Sequence, residues 1–404
     1  MKKENLILFT NGFPCVKEGE EFLEDELKLL SAEFRSIIIY VLGEGEICRA
    51  IPANAKVKFL KADPSLKVRN VILKQGLTLL NIQKEDKKDP VAKAAINKNK
   101  TFYKNVLIGN FLLKQTLENE LKTTDLKQTK LYSYWCGPWF DILMLLDKSI
   151  TDNITFRAHG YDYDVEQRPE KYIPYRNYLM KKEPFISFIS QFGYDTYNKK
   201  YPTFTNKKMN RLGVVEQNMN PQNGRKEVTI VSCSSLIPLK RVHLIIDILK
   251  NLPLDIKWVH FGDGPLMNEI KEKAKTFGLN ISTEFKGYVS HQEVMNYYKS
   301  NHVDLVMNVS ELEGIPVSLM EAISFGIPVT GCKICGVPEI VTNETGFLWE
   351  KDFDTKAAAK QLAEYFQRSP EQKQKFREDV KNFWNGRFNA EKNYRTFIKE
   401  CLLS

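Results

Sequence analysis

The chain has 404 residues, of which 43% are hydrophobic and 27% charged, and a formal net charge of +9. That balance excludes a disordered or fibrous protein and gives enough length for two domains with separate cores. No apolar run approaches the roughly 20 residues that span a bilayer, and Met1-Lys-Lys-Glu-Asn leads straight into a short strand rather than a signal-peptide core, so a cytoplasmic location is expected.

Strands and helices alternate in two series. In the first, strands are predicted near Asn5–Thr10, Ser36–Leu42, Val57–Leu60, Lys130–Trp135, Ile154–Gly160 and Pro184–Ser190, with a helix over Glu20–Ser31. The loop between the first strand and that helix carries Gly12 and Gly19, whose freedom suits a turn that approaches a ligand. Residues 61–130 hold fifteen Lys/Arg against seven Asp/Glu, a local excess of 15 − 7 = +8. Phe102, Val106, Leu113 and Leu117 recur at helical spacing there, so amphipathic helices with basic outer faces are expected. Such faces are either simply solvated or attach to an anionic membrane surface. Nucleic acid is not indicated, because no recognisable binding module accompanies the charge.

The strand over Ile154–Gly160 ends at His159-Gly160, with Arg157 and Asp162 nearby. A histidine at a strand end can bond a sugar hydroxyl or move a proton, or serve only the fold. The polar stretch Tyr201–Gly224 breaks the periodicity and marks a domain boundary. We therefore assign residues 1–205 to an N-terminal domain, 206–380 to a C-terminal one and 381–404 to a closing helix.

In the second series, strands are predicted near Val228–Ser235, Ile256–Gly262, Thr283–Val289, Val303–Ser310, Ile327–Cys332 and Gly346–Trp349. Each series reads as βαβ units forming a doubly wound, mostly parallel sheet, an α/β architecture in which two Rossmann-like domains face a deep cleft. After the first of these strands, a Pro-bearing loop leads to Lys240 and Arg241, cations placed to complement a pyrophosphate. The turns after Phe261 and Phe285 would form a wall for a nucleobase, its edge read by the Gly287, Tyr288 and Val289 backbone.

The densest constellation follows Ser310. Gly314 permits a tight turn, Pro316 suits a helix start, and a helix should run over Val317–Phe325 until Gly326 stops it. Its first N–H groups, near Ile315, Val317 and Ser318, carry partial positive charge and can bind phosphate oxygens. Glu313 precedes that helix end and Glu321 lies about one turn inside it. Two carboxylates flanking a phosphate site suit a ligand with diols on both sides of a pyrophosphate, which a sugar nucleotide has. Each glutamate alone is also explained by favourable helix electrostatics; the whole constellation at a strand end is not. The seven cysteines are scattered and odd in number, unlike a disulfide framework, and Cys332-Lys-Ile-Cys335 reads as a small-residue loop rather than a redox or metal site.

The residues Glu313-x7-Glu321, "GIPV" at Gly326, "GVPEIV" at Gly336 and "SCSSLIPLKR" before them resemble the signature of the retaining glycosyltransferases of family 4, which have the GT-B fold. In the first half the match lies in Gly19-Glu20 and His159-Gly160. The resemblance implies a UDP- or GDP-type nucleotide-diphospho-sugar donor held mainly by the C-terminal domain and an acceptor held mainly by the N-terminal one. It implies that Glu321 binds the ribose, Glu313 the donor sugar, and the backbone of Gly314, Ile315, Pro316 and Val317 the sugar and phosphates. Lys240 would stabilise the departing pyrophosphate and His159 would sit beside the transferred sugar. No metal or other cofactor is implied. The acceptor would be a glycan or lipid-linked glycan of a cell-surface polysaccharide or lipopolysaccharide, handled at the inner face of the cell membrane. Alternatives are a nucleotide-sugar epimerase of the same fold or a noncatalytic sugar-binding protein. The family commonly has an Arg five residues before its Lys; here Ser235 stands there, while Arg241 stands where Gly is common. Loss of such a charge-assisted partner removes on the order of 1.5–3 kcal/mol unless Arg241 replaces it.

Overall fold

The structure is a computed structural model, and it describes residues 4–16, 19, 20, 22–163, 165, 171–224 and 226–403. The chain divides into two compact units, Met1–Arg211 with Tyr394–Ser404, and Leu212–Asn393. Among the described residues, no helix is long and apolar enough to cross a membrane.

In the first unit, seven strands form one sheet: β1 (Asn5–Thr10), β2 (Ser36–Leu42), β3 (Ala55–Leu60), β4 (Thr129–Ser133), β5 (Ile154–Ala158), β6 (Phe185–Phe188) and β7 (Lys207–Met209). Their order is β3-β2-β1-β4-β5-β6-β7, and every pair is parallel. Central strands covered on both faces need continuous apolar side chains, which Leu6–Phe9 and Ile37–Ile39 supply. Helix α1 (Phe22–Glu33) buries Leu23, Leu27 and Leu30 at spacings of four and three. The basic region forms α2 (Val68–Asp86), α3 (Pro90–Lys98) and α4 (Lys100–Leu121). Asp89 caps α3 ahead of Pro90, and Asn99 caps α4. The buried face of α4 is the expected one in part, with Leu117 buried and Val106 and Leu113 packed against the core. It carries Tyr103, Leu107, Phe111, Leu117 and Leu121, while Phe102 is exposed. Strand β7 was not anticipated, because three partly buried residues at a sheet edge leave no apolar run to read.

The second unit holds β8 (Val228–Cys233), β9 (Ile256–Phe261), β10 (Ile281–Gly287), β11 (Leu305–Met307), β12 (Val329–Cys332) and β13 (Gly346–Trp349). The order β10-β9-β8-β11-β12-β13 is again wholly parallel. Strand β11 is shorter than its apolar run, because from Asn308 onward the backbone turns into a loop. There Asn308 Oδ1 accepts the Ser310 N–H at 2.9 Å. The helix Pro370–Arg387 opens on a capping box of Ser369 and Gln372. Residues up to Asn393 stay with the second unit. From Tyr394 the chain rejoins the first, where Phe397, Ile398, Cys401 and Leu402 enter its core.

Each sheet reverses its strand order once, at β1/β4 and at β8/β11. Doubly wound sheets bind ligands outside the carboxyl ends of their strands at such a switch.

Candidate functional site

At the β8/β11 switch, the chain leaving β8 is pressed against the chain leaving β9. A Cβ on Gly262 would fall 2.0 Å from the Ser234 carbonyl oxygen, and one on Gly264 2.6 Å from that of Leu236; both glycines have positive φ, at +131° and +158°. Only glycine fits there. A single 3-10 turn, Pro238–Lys240, then delivers Lys240. The Leu239 carbonyl accepts the Glu311 N–H at 2.9 Å, which ties this turn to the loop after β11.

That tie brings two of the sequence-predicted residues together. Lys240 Nζ donates to Glu313 Oε1 at 2.6 Å, and Asn308 Nδ2 donates to the same oxygen at 3.1 Å. Both side chains of the ion pair are largely buried, so water screens the pair weakly. Beyond Glu313, the Gly314 carbonyl accepts the Gly336 N–H at 2.9 Å. A Cβ on Gly336 would lie 2.6 Å from that carbonyl oxygen. The glycine of "GVPEIV" therefore lets the loop after β12 brace the loop after β11.

The helix Val317–Ser324 begins directly after Pro316, which caps it without a side-chain hydrogen bond. Leu319 and Met320 N–H are the first to bond back, to the Pro316 carbonyl at 3.2 and 3.3 Å. The N–H groups of Val317 and Ser318 lie ahead of this ladder, at the positive end of the helix. Glu321 is only 6% exposed, and its Oε1 lies 2.8 Å from His291 Nε2. His291 opens the helix His291–Ser300, whose start is fixed by the capping box of Ser290 and Glu293. Cys233, close to Glu321, has its thiol pushed up to about 12 by burial and then by the Glu321 charge, so it stays protonated and is no nucleophile.

Two expectations separate here. Ser235 is exposed at the mouth of the β8 loop, and Arg241 does not stand in for the missing cation beside it. Arg241 takes a left-handed backbone at φ +46°. Its Nε donates to the Val309 carbonyl at 2.8 Å, Nη1 to the Lys351 carbonyl at 2.8 Å, and Nη2 to Cys332 Sγ at 3.2 Å. The guanidinium thus clamps the ends of β11, β12 and β13. This corrects the reading of Arg241 as a donor-binding cation. Cys332 and Cys335 are both free of disulfides, and Cys332 serves as the buried acceptor for that clamp. At the far side of the sheet, Gly287 has φ +68° and its carbonyl accepts the Gly262 N–H at 2.8 Å. Tyr288 beside it is exposed and Val289 partly so.

A separate cluster occupies the β1/β4 switch of the first unit. Glu20, buried and itself at φ +56°, accepts the N–H groups of Asn11, Gly12 and Phe13 at 3.2, 2.9 and 2.6 Å. Its Oε1 also accepts Trp135 Nε1 at 2.6 Å. The Trp135 ring packs on the His159 ring with centroids 4.2 Å apart. His159 donates its backbone N–H to Asp162 Oδ2 at 2.9 Å, and Asp162 also holds the Cys136 N–H at 3.0 Å. Burial, reinforced by the nearby Arg157 cation, pushes the His159 imidazole down to about 3, so it is neutral near pH 7. Its Nε2 is buried with no partner among the described residues. Gly19 has φ +76° and open space around its missing Cβ, so it turns the chain into Glu20 rather than making room.

Sequence reasoning passed over three of these groups, Asn308, His291 and Trp135. Asn308 lies inside an apolar run, where its polarity was the signal. His291 lies inside a Ser-x-x-Glu capping signature, directly after Ser290. Glu20 and Trp135 meet only through the fold, being 115 positions apart.

Residues 215–383 match the sequence model of a family described as glycosyl transferases group 1. A protein of Escherichia coli K12 named as a colanic acid biosynthesis glycosyltransferase, WcaL, is 26% identical over 220 residues, 52% of this chain and 54% of that protein. The alpha-monoglucosyldiacylglycerol synthase of Streptococcus pneumoniae is 29% identical over 126 residues, 30% of this chain and 27% of that protein. The chain thus spans about half the length, or less, of these curated relatives. Among solved structures, HepE of Anabaena in complex with UDP and glucose superposes with a TM-score of 0.58 at 14% identity, covering 98% of both chains. That likeness establishes the GT-B fold expected from the sequence.

Proposed function

We propose that this chain, which carries the glycosyl transferases group 1 sequence over residues 215–383, is a glycosyltransferase that moves a sugar from a nucleotide-diphospho-sugar to a hydroxyl of a glycan or lipid-linked glycan. The observation that carries the reading is the Lys240–Glu313 ion pair beside the uncapped start of the Val317 helix. Three chemical demands meet in that one place. A leaving nucleoside diphosphate develops negative charge, and Lys240 with the Val317 and Ser318 N–H groups supplies fixed positive potential for it. A sugar presents paired hydroxyls, and Glu313 offers a carboxylate held in place by Lys240 and Asn308. A ribose presents another pair, and Glu321, oriented by His291, is assigned to it.

Glu313 and Lys240 satisfy each other in this structure. Donor binding would exchange this pair for two more demanding ones, cation to pyrophosphate and carboxylate to hydroxyl. Its strength in this chain is set by Lys240 without a second side-chain cation at Ser235. Gly287, Tyr288 and Val289 are assigned to the base. His159 is assigned to a hydroxyl of the transferred sugar. A group with a pKa of about 3 is a poor proton carrier near pH 7, so its Nε2 serves by hydrogen bonding rather than by acid–base work. Gly19 acts by placing Glu20.

The reaction is proposed to retain configuration. The acceptor oxygen bonds to the anomeric carbon on the face from which the pyrophosphate departs, as the bond from that carbon to the phosphate oxygen breaks. The acceptor proton passes to the departing phosphate. No metal or cofactor is required, because protein groups bear the charge. The relatives named for colanic acid and for a glucosyldiacylglycerol favour a step in surface polysaccharide or glycolipid assembly, at the cytoplasmic face of an anionic membrane. Incubation with UDP- and GDP-sugars and release of the nucleoside diphosphate test the reading. Turnover that needs an acceptor and retains the anomeric configuration supports it, whereas epimerised donor without transfer refutes it.

A further inference from the structure

We infer that the outward face of α2 is a docking surface for an anionic lipid bilayer. Helix α2 has two contrasting sides. Val71, Ile82 and Asp86 are buried against the first unit. On the opposite side, Leu73, Leu77 and Leu80 are 72%, 81% and 62% exposed. Spacings of four and three residues stack these leucines in one stripe. A single exposed leucine is ordinary, but a contiguous stripe of them marks an interaction surface. Ile72 and Val68 on the same helix are also exposed and extend the apolar area.

Charge decides what the stripe meets. Arg69 lies four residues before Leu73 and Lys84 four residues after Leu80, so both continue the same stripe, and both are exposed. Lys74 is exposed on its flank, and residues 69–84 contain no Asp or Glu. An apolar groove of about 310 Å³ runs alongside between α2 and α4, lined by Ile72, Gly76, Leu79, Leu80 and Leu107 with Lys104 at its rim. A protein partner or a second copy of this chain would need an apolar face, but not a cation at each end of it. A bilayer surface offers both, with acyl chains beneath a layer of phosphates. Leucines would enter the boundary region while Arg69, Lys74, Lys84 and Lys104 meet headgroups. The 19-residue helix, about 28 Å long at 1.5 Å per residue, would lie flat on that surface.

This inference deepens the proposed function, since a lipid-linked acceptor is presented at such a surface, but its test needs no turnover. The full chain is sedimented with vesicles of phosphatidylcholine alone and with vesicles containing phosphatidylglycerol, at low and high salt. Binding to the anionic vesicles only, weakened by salt and lowered about tenfold or more in Leu73→Asp/Leu77→Asp, is the expected result. Arg69→Glu/Lys84→Glu, which leaves every apolar contact in place, should lower binding as well. Wild-type protein that ignores anionic vesicles, or variants that bind as wild type does, would overturn the inference. So would a concentration-dependent dimer in solution that the leucine variant abolishes, because the stripe would then be covered by a second copy. Donor binding, followed separately by thermal shift, should be the same in wild type and both variants. Its absence in wild type would count against the proposed function and leave the lipid surface standing.

Discussion

Lys240 and Glu313 hold each other at 2.6 Å, with Asn308 as a third member. Each therefore depends on the other for its position. Lys240→Ala should lower turnover by about 10²–10³-fold, the loss typical of removing one preorganised group from a site of developing charge. It should also leave Glu313 without its cation. Release of nucleoside diphosphate from a purified variant measures this, and a near wild-type rate would remove Lys240 from the site. Ser235 supplies a gain-of-function test. If the exposed Ser235 position faces the pyrophosphate, Ser235→Arg adds a charge-assisted partner worth roughly 1.5–3 kcal/mol and tightens nucleoside diphosphate binding about tenfold or more. Calorimetric titration of both forms with the same nucleotide decides it. An unchanged affinity would place Ser235 away from the phosphates. Arg241 is not available for that role, because three of its nitrogens already bind the ends of β11, β12 and β13.

At the scale of elements, the loop between β1 and α1 is held by one side chain. Glu20 gathers three backbone N–H groups and the Trp135 indole, and Trp135 supports the His159 ring. Glu20→Ala should therefore raise KM for the acceptor or lower kcat while nucleotide binding by the second unit stays unchanged. Steady-state kinetics alongside nucleotide titration separate the two, and lost nucleotide binding would contradict the account. Elements of this kind differ in how legibly the sequence announces them. The buried strands were readable because burial on both faces demands uninterrupted apolar runs, as in Ile37–Ile39 and Leu305–Met307. The Val317 helix was readable from its Gly, Pro and Gly punctuation, and its observed end at Ser324 is one residue short of the expected one. Strand β7 carried no such signal. On α4 only Phe102 was misplaced, because Phe102 and Tyr103 both fit an apolar position and only packing chooses Tyr103, whose hydroxyl donates to Asp86 at 2.5 Å. In the same way, Glu313 and Glu321 stood out by spacing, whereas His291, Asn308 and Trp135 reach their partners only after strands are aligned.

Across the whole molecule, buried ionisable groups set the response to pH. Burial pushes His159 down to about 3 and His260 to about 4, both below the usual histidine value near 6.5. The unfolded chain takes up protons as pH falls through 6.5, whereas the folded chain does not until much lower pH. Stability from these two groups is therefore complete above about pH 6.5 and declines as pH falls below it. The thermal midpoint should be lower at about pH 5 than at about pH 7.5, and His159→Asn/His260→Asn should flatten that slope. A midpoint that rose on acidification would contradict the assignment. The return of the chain to the first unit rests on a different buried group. Arg157, fully buried, bonds Glu26 on α1 and lies over the Phe397 ring at 4.6 Å and the Tyr394 ring at 5.3 Å. Glu26→Ala would strand that cation, at a cost of about 3–5 kcal/mol. A denaturation midpoint little changed from wild type would show the pair to be dispensable.

The central claim is that the second unit binds a nucleotide-diphospho-sugar through Lys240, Glu313 and the start of the Val317 helix. The most direct measurement is a thermal-shift panel of UDP-, GDP- and ADP-sugars on wild type and on Lys240→Ala. Nucleotide sugars of one base should raise the wild-type midpoint, and Lys240→Ala should lose most of that rise while keeping its own unliganded midpoint. A folded wild type that no nucleotide sugar stabilises, or a Lys240→Ala protein stabilised as fully as wild type, would contradict it.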